Sequence, residues 1–180
     1  MLVYKNQLSN RNKAETGIHY EWYALQRFAS DYYPDFEKEK MVWAETAQEM
    51  KMAFVPKGFY LSKTCFMITG KNLKHIQSVL NSTLSDWYIK QSVHRLGEKG
   101  IYLSGYFVEQ LPIPKIPEKE QQPFIDLVDK ILAITRDEDY LQNESKQKQV
   151  AALERQIDQM VYKLYGLTPE EIEIVEGDRE

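Results

Sequence analysis

The sequence predicts a mixed α+β fold, in which a small β-rich globule with packed helices is followed by a C-terminal helical hairpin. Three observations predict this class. Short runs of β-forming residues follow Pro34, apolar residues recur at helical spacing further along, and three prolines occupy the six residues from Pro112 to Pro117. Because such a proline cluster excludes helix, it marks the boundary between the globule and the hairpin.

The chain before Pro34 is predicted to be a connection followed by an aromatic segment. The first 16 residues are polar and turn-prone, as expected of a linker from an upstream domain. Gly17 then opens an aromatic stretch over 19–28, which fits either a short helix or a strand. We therefore expect three parts: a linker over residues 1–16, a globule over 17–116 and helices over 117–180.

Four β-strands are expected after Pro34, arranged as a meander or a set of hairpins. The runs are 40–44, 52–55, 58–61 and 63–69, and Gly70 closes the last of them. A fifth short strand is expected over 101–103, after a basic loop that Gly97 and Gly100 punctuate.

The sequence period changes from strand to helix between these strands. Apolar residues follow helical spacing over 73–80 and again over 84–91. Ser82 or Ser85 is expected to cap the second helix, because a serine hydroxyl can accept a hydrogen bond from a free backbone N–H.

Two apolar stripes after the proline cluster predict an antiparallel helical hairpin. They cover 124–132 and 150–164, and Gly166 follows at the position where helices commonly end. Thr168, Pro169 and Glu171 then form the pattern of an N-cap, a first-turn proline and a capping-box glutamate. A short terminal helix is therefore expected.

Composition indicates a folded domain of the cytoplasm. Of the 180 residues, 43% are apolar, which is enough for a real core. The one cysteine, Cys65, cannot form an internal disulfide, as fits a reducing compartment. No apolar stretch is long enough to span a membrane, and the N-terminal residues have no signal-peptide pattern.

Charge is distributed unevenly along the chain. Residues 1–116 contain 15 Lys and Arg against 11 Asp and Glu, a net charge of +4. Residues 117–180 contain 8 against 16, a net charge of −8. A basic body on an acidic support is typical of a module that contacts a polyanion.

The motifs of nucleotide and metal chemistry are missing from the sequence. It contains no G-x-G-x-x-G, no P-loop and no Asn-Pro-Pro-aromatic signature of amino-methylating DNA methyltransferases. The three histidines are scattered and have no second ligand at metal spacing. We therefore expect no catalytic residue, cofactor site or metal site in this chain by itself.

One pattern supports a Mg²⁺-dependent nuclease as an alternative. Pro34 and Asp35, followed by Glu49 and Lys51, match the loose P-D…E-x-K pattern of metal-dependent nucleases. That chemistry requires Asp35 and the Glu49/Lys51 pair on adjacent strands, where two carboxylates would hold the metal.

Basic, amide and aromatic side chains of the β-rich body are the candidates for nucleic-acid contact. Lys and Arg contact phosphates, whereas Arg, Asn and Gln can also read base edges in the major groove. The candidates are Arg27, Gln48, Lys51, Lys57, Tyr60, Lys63, Arg95 and Lys99. We expect them to share one concave face, with the 97–100 loop open to solvent and the acidic helices behind it.

Six ordered segments resemble a known family. They are YEWYALQR at 20–27, KMVW at 40–43, VLNSTL at 79–84, LGEKG at 96–100, LPIP at 111–114 and IDQMVYKLYGLT at 157–168. In this order they resemble the TaqI-like C-terminal specificity domain of type IIG restriction–modification enzymes and related adenine-specific DNA methyltransferases. The resemblance extends from about residue 17 to residue 177.

The resemblance implies a target recognition domain of a bacterial enzyme, with a mixed α/β globule followed by long helices. In such enzymes a preceding domain binds S-adenosylmethionine and flips an adenine out of the duplex for N6 methylation. The implied partners are double-stranded DNA and the methyltransferase and nuclease domains of the parent enzyme. S-adenosylmethionine and Mg²⁺ belong to those domains, so no catalytic residue carries over to this chain.

A protein-interaction module is the other alternative. In that hypothesis the helical hairpin docks partner proteins and the β-rich body is a scaffold. The acidic stripe over residues 136–139 is the sequence feature that supports it.

Overall fold

A computed structural model of the chain describes residues 2–10, 21–23 and 30–177. The chain divides into two compact units, Met1–Asp35 and Phe36–Glu180. The predicted α+β class is confirmed, because small antiparallel sheets are combined with long helices. None of the helices in the described ranges is both long enough and apolar enough to cross a lipid bilayer.

The first unit contains short helical segments. A 3-10 turn at Leu2–Tyr4 leads into helix α1, Lys5–Asn10, within the stretch predicted to be a turn-prone linker. A second 3-10 turn, Ser30–Tyr32, precedes helix α2, Tyr33–Phe36. Most of the aromatic stretch over 19–28 lies outside the described residues, so its helix or strand character stays a prediction.

The second unit is built on a three-stranded antiparallel sheet and a two-stranded ribbon. The strands are β1 Lys40–Ala44, β2 Thr46–Ala47, β3 Ala53–Val55, β4 Cys65–Ile68 and β5 Ile101–Tyr102. The sheet has the order β3-β1-β4, and the ribbon pairs β2 with β5. Strand β1 is therefore central, and the chain does not form a simple meander.

The strand predicted over 58–61 is wrong. Strand β3 ends at Val55, opposite Lys40, whereas β4 starts at Cys65, opposite Ala44. The intervening loop therefore runs from one end of the sheet to the other, and residues 58–61 form turn and coil there rather than a strand. It turns at Gly58, which has a positive φ of 82°.

A buried lysine lies at the end of the sheet where β1 begins and connects two segments of the chain there. Lys40 is fully buried, and its ammonium donates hydrogen bonds to the carbonyl oxygens of Phe36 and Pro56, each 3.0 Å away. A buried charge needs such acceptors, since unpaired burial costs several kcal/mol or more. The lysine therefore ties the start of the β3–β4 loop to the chain that precedes β1.

Six helices follow or flank the sheet. They are α3 Leu73–Leu80, α4 Thr83–Ser92, α5 Gly105–Val108, α6 Glu118–Thr135, α7 Glu144–Tyr165 and α8 Pro169–Gly177. Of the two serines predicted as caps of α4, Ser82 is the N-cap, and its hydroxyl accepts a hydrogen bond from the Ser85 N–H. The apolar faces of α3 and α4 close the first core, around Met41, Trp43 and Leu103.

The predicted C-terminal hairpin is confirmed. Helices α6 and α7 pack through a second core that includes Phe124, Val128, Ile157 and Val161. Gly166 ends α7 in the left-handed conformation, with φ 71°.

The capping box that precedes α8 is also confirmed. The Thr168 N–H donates to a Glu171 carboxylate oxygen at 2.8 Å, and the Glu171 N–H donates to the Thr168 hydroxyl at 3.3 Å. The two bonds satisfy backbone donors that the first turn of a helix leaves free.

The helical hairpin packs on the globule through specific polar contacts. The buried Asp158 carboxylate of α7 accepts hydrogen bonds from the Thr83 N–H at 2.8 Å and from the Thr83 hydroxyl at 2.7 Å. The Tyr165 hydroxyl donates to the Pro112 carbonyl at 2.5 Å. Strands, α3, α4 and the hairpin therefore form one continuous scaffold.

Candidate nucleic-acid interface

The β2–β5 ribbon lies at the Ala44 end of the central strand. Only Glu45 separates β1 from β2, so the ribbon continues from that end of the sheet. The indole N–H of Trp43 donates to the Leu103 carbonyl at 2.8 Å, and the Leu103 N–H donates to the Glu45 carbonyl at 2.7 Å. These bonds hold the ribbon to the rigid core.

A tight hairpin over residues 94–102 extends from the ribbon. The Leu96 N–H donates to the Gly100 carbonyl at 2.7 Å, and the Tyr102 N–H donates to the His94 carbonyl at 3.2 Å. A 3-10 turn, Gly97–Lys99, forms its tip. Gly97 and Glu98 are exposed, as expected for a loop open to solvent.

Close contact with β2 determines the position of this hairpin. Gly100 has φ 94°, and a Cβ atom added there would lie 2.1 Å from the Ala47 carbonyl oxygen. Only glycine fits a backbone approach this close. On the same side, the amide nitrogen of Gln48 donates to the Glu98 carbonyl at 2.7 Å. The hairpin tip is thus attached to the residue that follows β2.

Three of the candidate contact residues share this end of the sheet. Gln48 and Arg95 are exposed beside the hairpin turn. Lys63 is exposed as well, and its neighbour Thr64 accepts a hydrogen bond from the Glu45 N–H at 2.9 Å. Within the described part of the chain, neither Arg95 nor Lys63 forms an ion pair. Their charges are therefore available to an external anion.

A tyrosine of the ribbon binds the carboxylate of Glu45, the residue between β1 and β2. The Tyr102 hydroxyl donates to Glu45 Oε1 at 3.2 Å. That hydrogen bond and the negative charge of Glu45 raise the pKa of Tyr102, so the hydroxyl stays protonated at neutral pH.

Lys57 and Tyr60 lie at the opposite end of β1. Their loop starts beside Lys40, where the Gly58 N–H donates to the Phe36 carbonyl at 2.9 Å. The Tyr60 ring lies 4.9 Å from the ring of Phe36. Since β1 advances about 3.3 Å per residue, its two ends are about 13 Å apart. Lys57 lies near one end of this strand, and Lys63 lies near the other. The structure therefore places the candidates in two groups rather than in a single cluster.

Lys51 faces acidic groups. Its ammonium lies 4.0 Å from the carboxylates of both Glu49 and Glu154. The backbone between Glu49 and Lys51 is held by Asp86, which accepts a hydrogen bond from the Met50 N–H at 2.7 Å. Of the candidates that the structure describes, Lys51 is thus the one whose charge is compensated within the protein.

The strand placement that the nuclease hypothesis requires is wrong. Asp35 lies in helix α2, and Glu49 lies in a bend after β2. In residues 2–10, 21–23 and 30–177, no group of three or more His, Cys, Asp or Glu side chains is placed to hold a metal ion. The sequence pattern therefore does not correspond to two carboxylates on neighbouring strands.

The acidic stripe of the interaction hypothesis is partly neutralised. Lys146 binds Asp137 at 2.8 Å and also binds Asp139. These contacts lower the pKa of Asp139, chiefly through its hydrogen bond with Lys146, and raise that of Lys146. The stripe therefore stabilises the connection between α6 and α7.

All eight candidates remain predictions as DNA contacts, and two of them cannot be placed in the fold. Arg27 lies outside the described residues, and so does the side chain of Lys99. Sequence reasoning missed the contact between Gln48 and the Glu98 carbonyl, which are 50 residues apart. The only nearby feature of the sequence that indicates this contact is the pair Gly97 and Gly100, which predicts the turn but not its partner.

The chain matches a known family. The model of the TaqI-like C-terminal specificity domain matches residues 3–113, more than half of the chain. The match includes both strand groups and the 94–102 hairpin. Comparison with curated proteins gives no match.

Proposed function

Because the chain belongs to the TaqI-like C-terminal specificity domain family, whose members provide DNA sequence specificity in restriction–modification enzymes, we propose that it reads duplex DNA with the hairpin end of its sheet. The proposal includes a type IIG parent enzyme in the bacterial cytoplasm. Its methyltransferase domain would methylate adenine with S-adenosylmethionine, and its nuclease domain would use Mg²⁺. This chain would select the site at which they act.

The single observation that carries the proposal is the 94–102 hairpin, which is held against β2 and flanked by exposed Arg95 and Gln48. A two-stranded ribbon fits the major groove, which is about 12 Å wide. Arg and Gln are also among the side chains that read base edges there. The hairpin therefore supplies the shape and the chemistry of a sequence reader.

Phosphate contacts on both sides of the groove would orient the hairpin. Lys63 lies at the hairpin end of the sheet, and Lys57 lies at the other end of β1, a strand about 13 Å long. Both lysines are exposed, and neither forms an ion pair with a described residue. Because this strand is about as long as the major groove is wide, the two lysines would contact phosphates of opposite DNA strands.

Binding of the full chain to a mixed-sequence duplex, measured over a range of salt concentrations, tests the proposal. Each phosphate contact contributes about −0.9 to the slope of log K against log salt concentration. We expect Lys57→Ala and Lys63→Ala each to weaken binding to all sequences alike and to reduce the slope by about that amount.

Lys130→Ala is the matched control. Lys130 is exposed on α6 and also lacks an ion pair with a described residue, but it belongs to the helical hairpin. Its replacement should leave both affinity and slope unchanged. An equal loss in all three variants would contradict the assignment of the surface, and an absence of duplex binding at low salt would contradict the function.

A further inference from the structure

Residues 94–96 extend the β2–β5 ribbon by a third, edge segment. Arg95 bridges Ile101 in antiparallel orientation, and Ile101 pairs on its other side with Ala47. The two backbone hydrogen bonds that close the 94–102 hairpin flank this bridge, one on each side, as they do in a regular antiparallel pair. Residues 94–96 therefore follow the pleat of the ribbon.

The pleat gives this extended ribbon a buried face and an outer face. Ala47 and Ile101 lie opposite each other and pack in the first core, where Ile101 is only 4% exposed. Arg95 shares their face but stays exposed, because it belongs to the edge segment. Successive side chains point to opposite faces, so the neighbours of these three residues form the outer face. That outer face consists of Thr46, Tyr102, His94 and Leu96.

Leu96 is the aliphatic side chain of this outer face, and it is 41% exposed. The other three members, Thr46, His94 and Tyr102, carry hydroxyl or imidazole groups. A single exposed leucine is ordinary on a protein surface, so its position is what matters here. Leu96 directly precedes the 3-10 turn at the hairpin tip, and its own N–H donates to the Gly100 carbonyl at 2.7 Å. A fixed backbone therefore presents an apolar group beside the tip.

We propose that Leu96 is a specificity-determining residue that reads thymine through its 5-methyl group. This inference rests on the proposed function. Of the groups that the four bases present in the major groove, the thymine methyl is the apolar one, and the others donate or accept hydrogen bonds. An aliphatic side chain offers no hydrogen bond, so it would remove water from the polar edge of another base without replacing the bond lost. Leu96 therefore favours thymine at one position of the recognition site.

Replacement of single thymines by deoxyuridine in a bound duplex tests the proposal, because uracil differs from thymine only by the missing methyl group. The probe is a duplex that the full chain selects from a library with a randomised central segment. We expect one thymine at which deoxyuridine weakens binding of the wild type by about fourfold, the effect of removing one methyl group from water.

Two variants assign this loss to Leu96. Leu96→Ala should bind the thymine duplex about fourfold more weakly than the wild type, and deoxyuridine at the same position should cause no further loss, because the two changes remove the same contact. Leu96→Met keeps an apolar side chain of similar volume and should retain the sensitivity to deoxyuridine.

Leu141→Ala is the matched control. Leu141 is also an exposed leucine, 75% accessible, but it lies in the 3-10 turn Tyr140–Gln142 between α6 and α7, outside the ribbon. Its replacement should change neither the affinity for the thymine duplex nor the response to deoxyuridine. Far-UV circular dichroism checks that each variant is folded.

The outcomes separate the two proposals. A wild type that is insensitive to deoxyuridine at every thymine, or a selected site without an A·T pair, would overturn the inference about Leu96. A methyl effect that persists unchanged in Leu96→Ala would do the same. Each of these results would leave DNA reading by the chain intact. Failure of the folded wild type to bind duplex DNA, or binding without any base preference, would overturn both proposals.

Discussion

Replacement of Gly100 by alanine is the sharpest perturbation that the structure offers. The added Cβ atom would lie 2.1 Å from the Ala47 carbonyl oxygen and 2.7 Å from its carbon, both of which belong to strand backbone. Neither atom can move as a flexible side chain would. A normal contact of about 3.2–3.4 Å therefore requires the 94–102 hairpin to shift by about 1 Å, which disrupts its close contact with β2.

The expected loss of stability has two parts. Alanine at φ 94° occupies a region that is essentially reserved for glycine, which costs about 1–3 kcal/mol. Loss of the hydrogen bond between Gln48 and the Glu98 carbonyl adds about 1 kcal/mol. Because 1 kcal/mol shifts the melting temperature of a domain this size by about 2–4 °C, Gly100→Ala should lower it by roughly 4–15 °C.

Gly97→Ala is the matched control for this prediction. Gly97 also has a positive φ, 61°, but a Cβ atom there would meet nothing within 4 Å. Its replacement should cost only the about 1–2 kcal/mol of a left-handed alanine. Differential scanning calorimetry gives the stability of the two variants, and selection of bound sequences from a library of randomised DNA duplexes gives their base preferences.

We expect Gly100→Ala to lose the base preferences that Arg95 and Gln48 provide, while Gly97→Ala keeps them. Equal melting temperatures and equal base preferences in the two variants would refute the argument, because the clash with Ala47 is what distinguishes them.

Two further predictions concern the packing of the helices on the globule. His75 is buried against Phe124 with both ring nitrogens unpartnered, and burial lowers its pKa. Below about pH 6.5 the unfolded state therefore binds a proton at His75 more readily than the folded state does. The free energy of unfolding should then decrease as the pH falls, by no more than about 1.4 kcal/mol per pH unit. Urea unfolding at two pH values tests this, and His75→Leu should remove the pH dependence of the free energy of unfolding. If that pH dependence is the same in the variant, other groups cause it. Asp158→Ala removes the carboxylate that accepts both hydrogen bonds of Thr83 and should cost about 1–3 kcal/mol in thermal unfolding. Asp129→Ala, which breaks an exposed ion pair, should cost less than about 1 kcal/mol, and equal losses would contradict a special role for Asp158.

The local elements of this protein could be predicted from its sequence. The strands at Lys40–Ala44 and Cys65–Ile68, the helices Leu73–Leu80 and Glu118–Thr135 and the capping box at Thr168 are all where the pattern places them. Each depends on residues within a few positions of one another. Alternation, helical spacing and capping chemistry are therefore sufficient to predict them.

The candidate site was predicted only as a set of residue types. Arg95, Gln48 and Lys63 stand out in the sequence as chemistry suited to DNA, and the structure brings these three to one end of the sheet. Nothing local shows that Lys57 belongs to the other end of β1. Nor does anything local show that the ammonium of Lys51 lies near Glu154, more than a hundred residues away.

The sequence by itself determined the class of fold, the approximate positions of the longer strands and helices and the chemistry available to the surface. Tertiary structure alone decided the strand order β3-β1-β4, the path of the loop that contains residues 58–61 along the sheet, and the close contact of Gly100 with Ala47. It also decided that the Gln48 amide donates a hydrogen bond to the Glu98 carbonyl. The physical reason is that strand order and such contacts join residues far apart in the chain. Their free energy depends on how the whole core packs, and no short stretch of sequence encodes it.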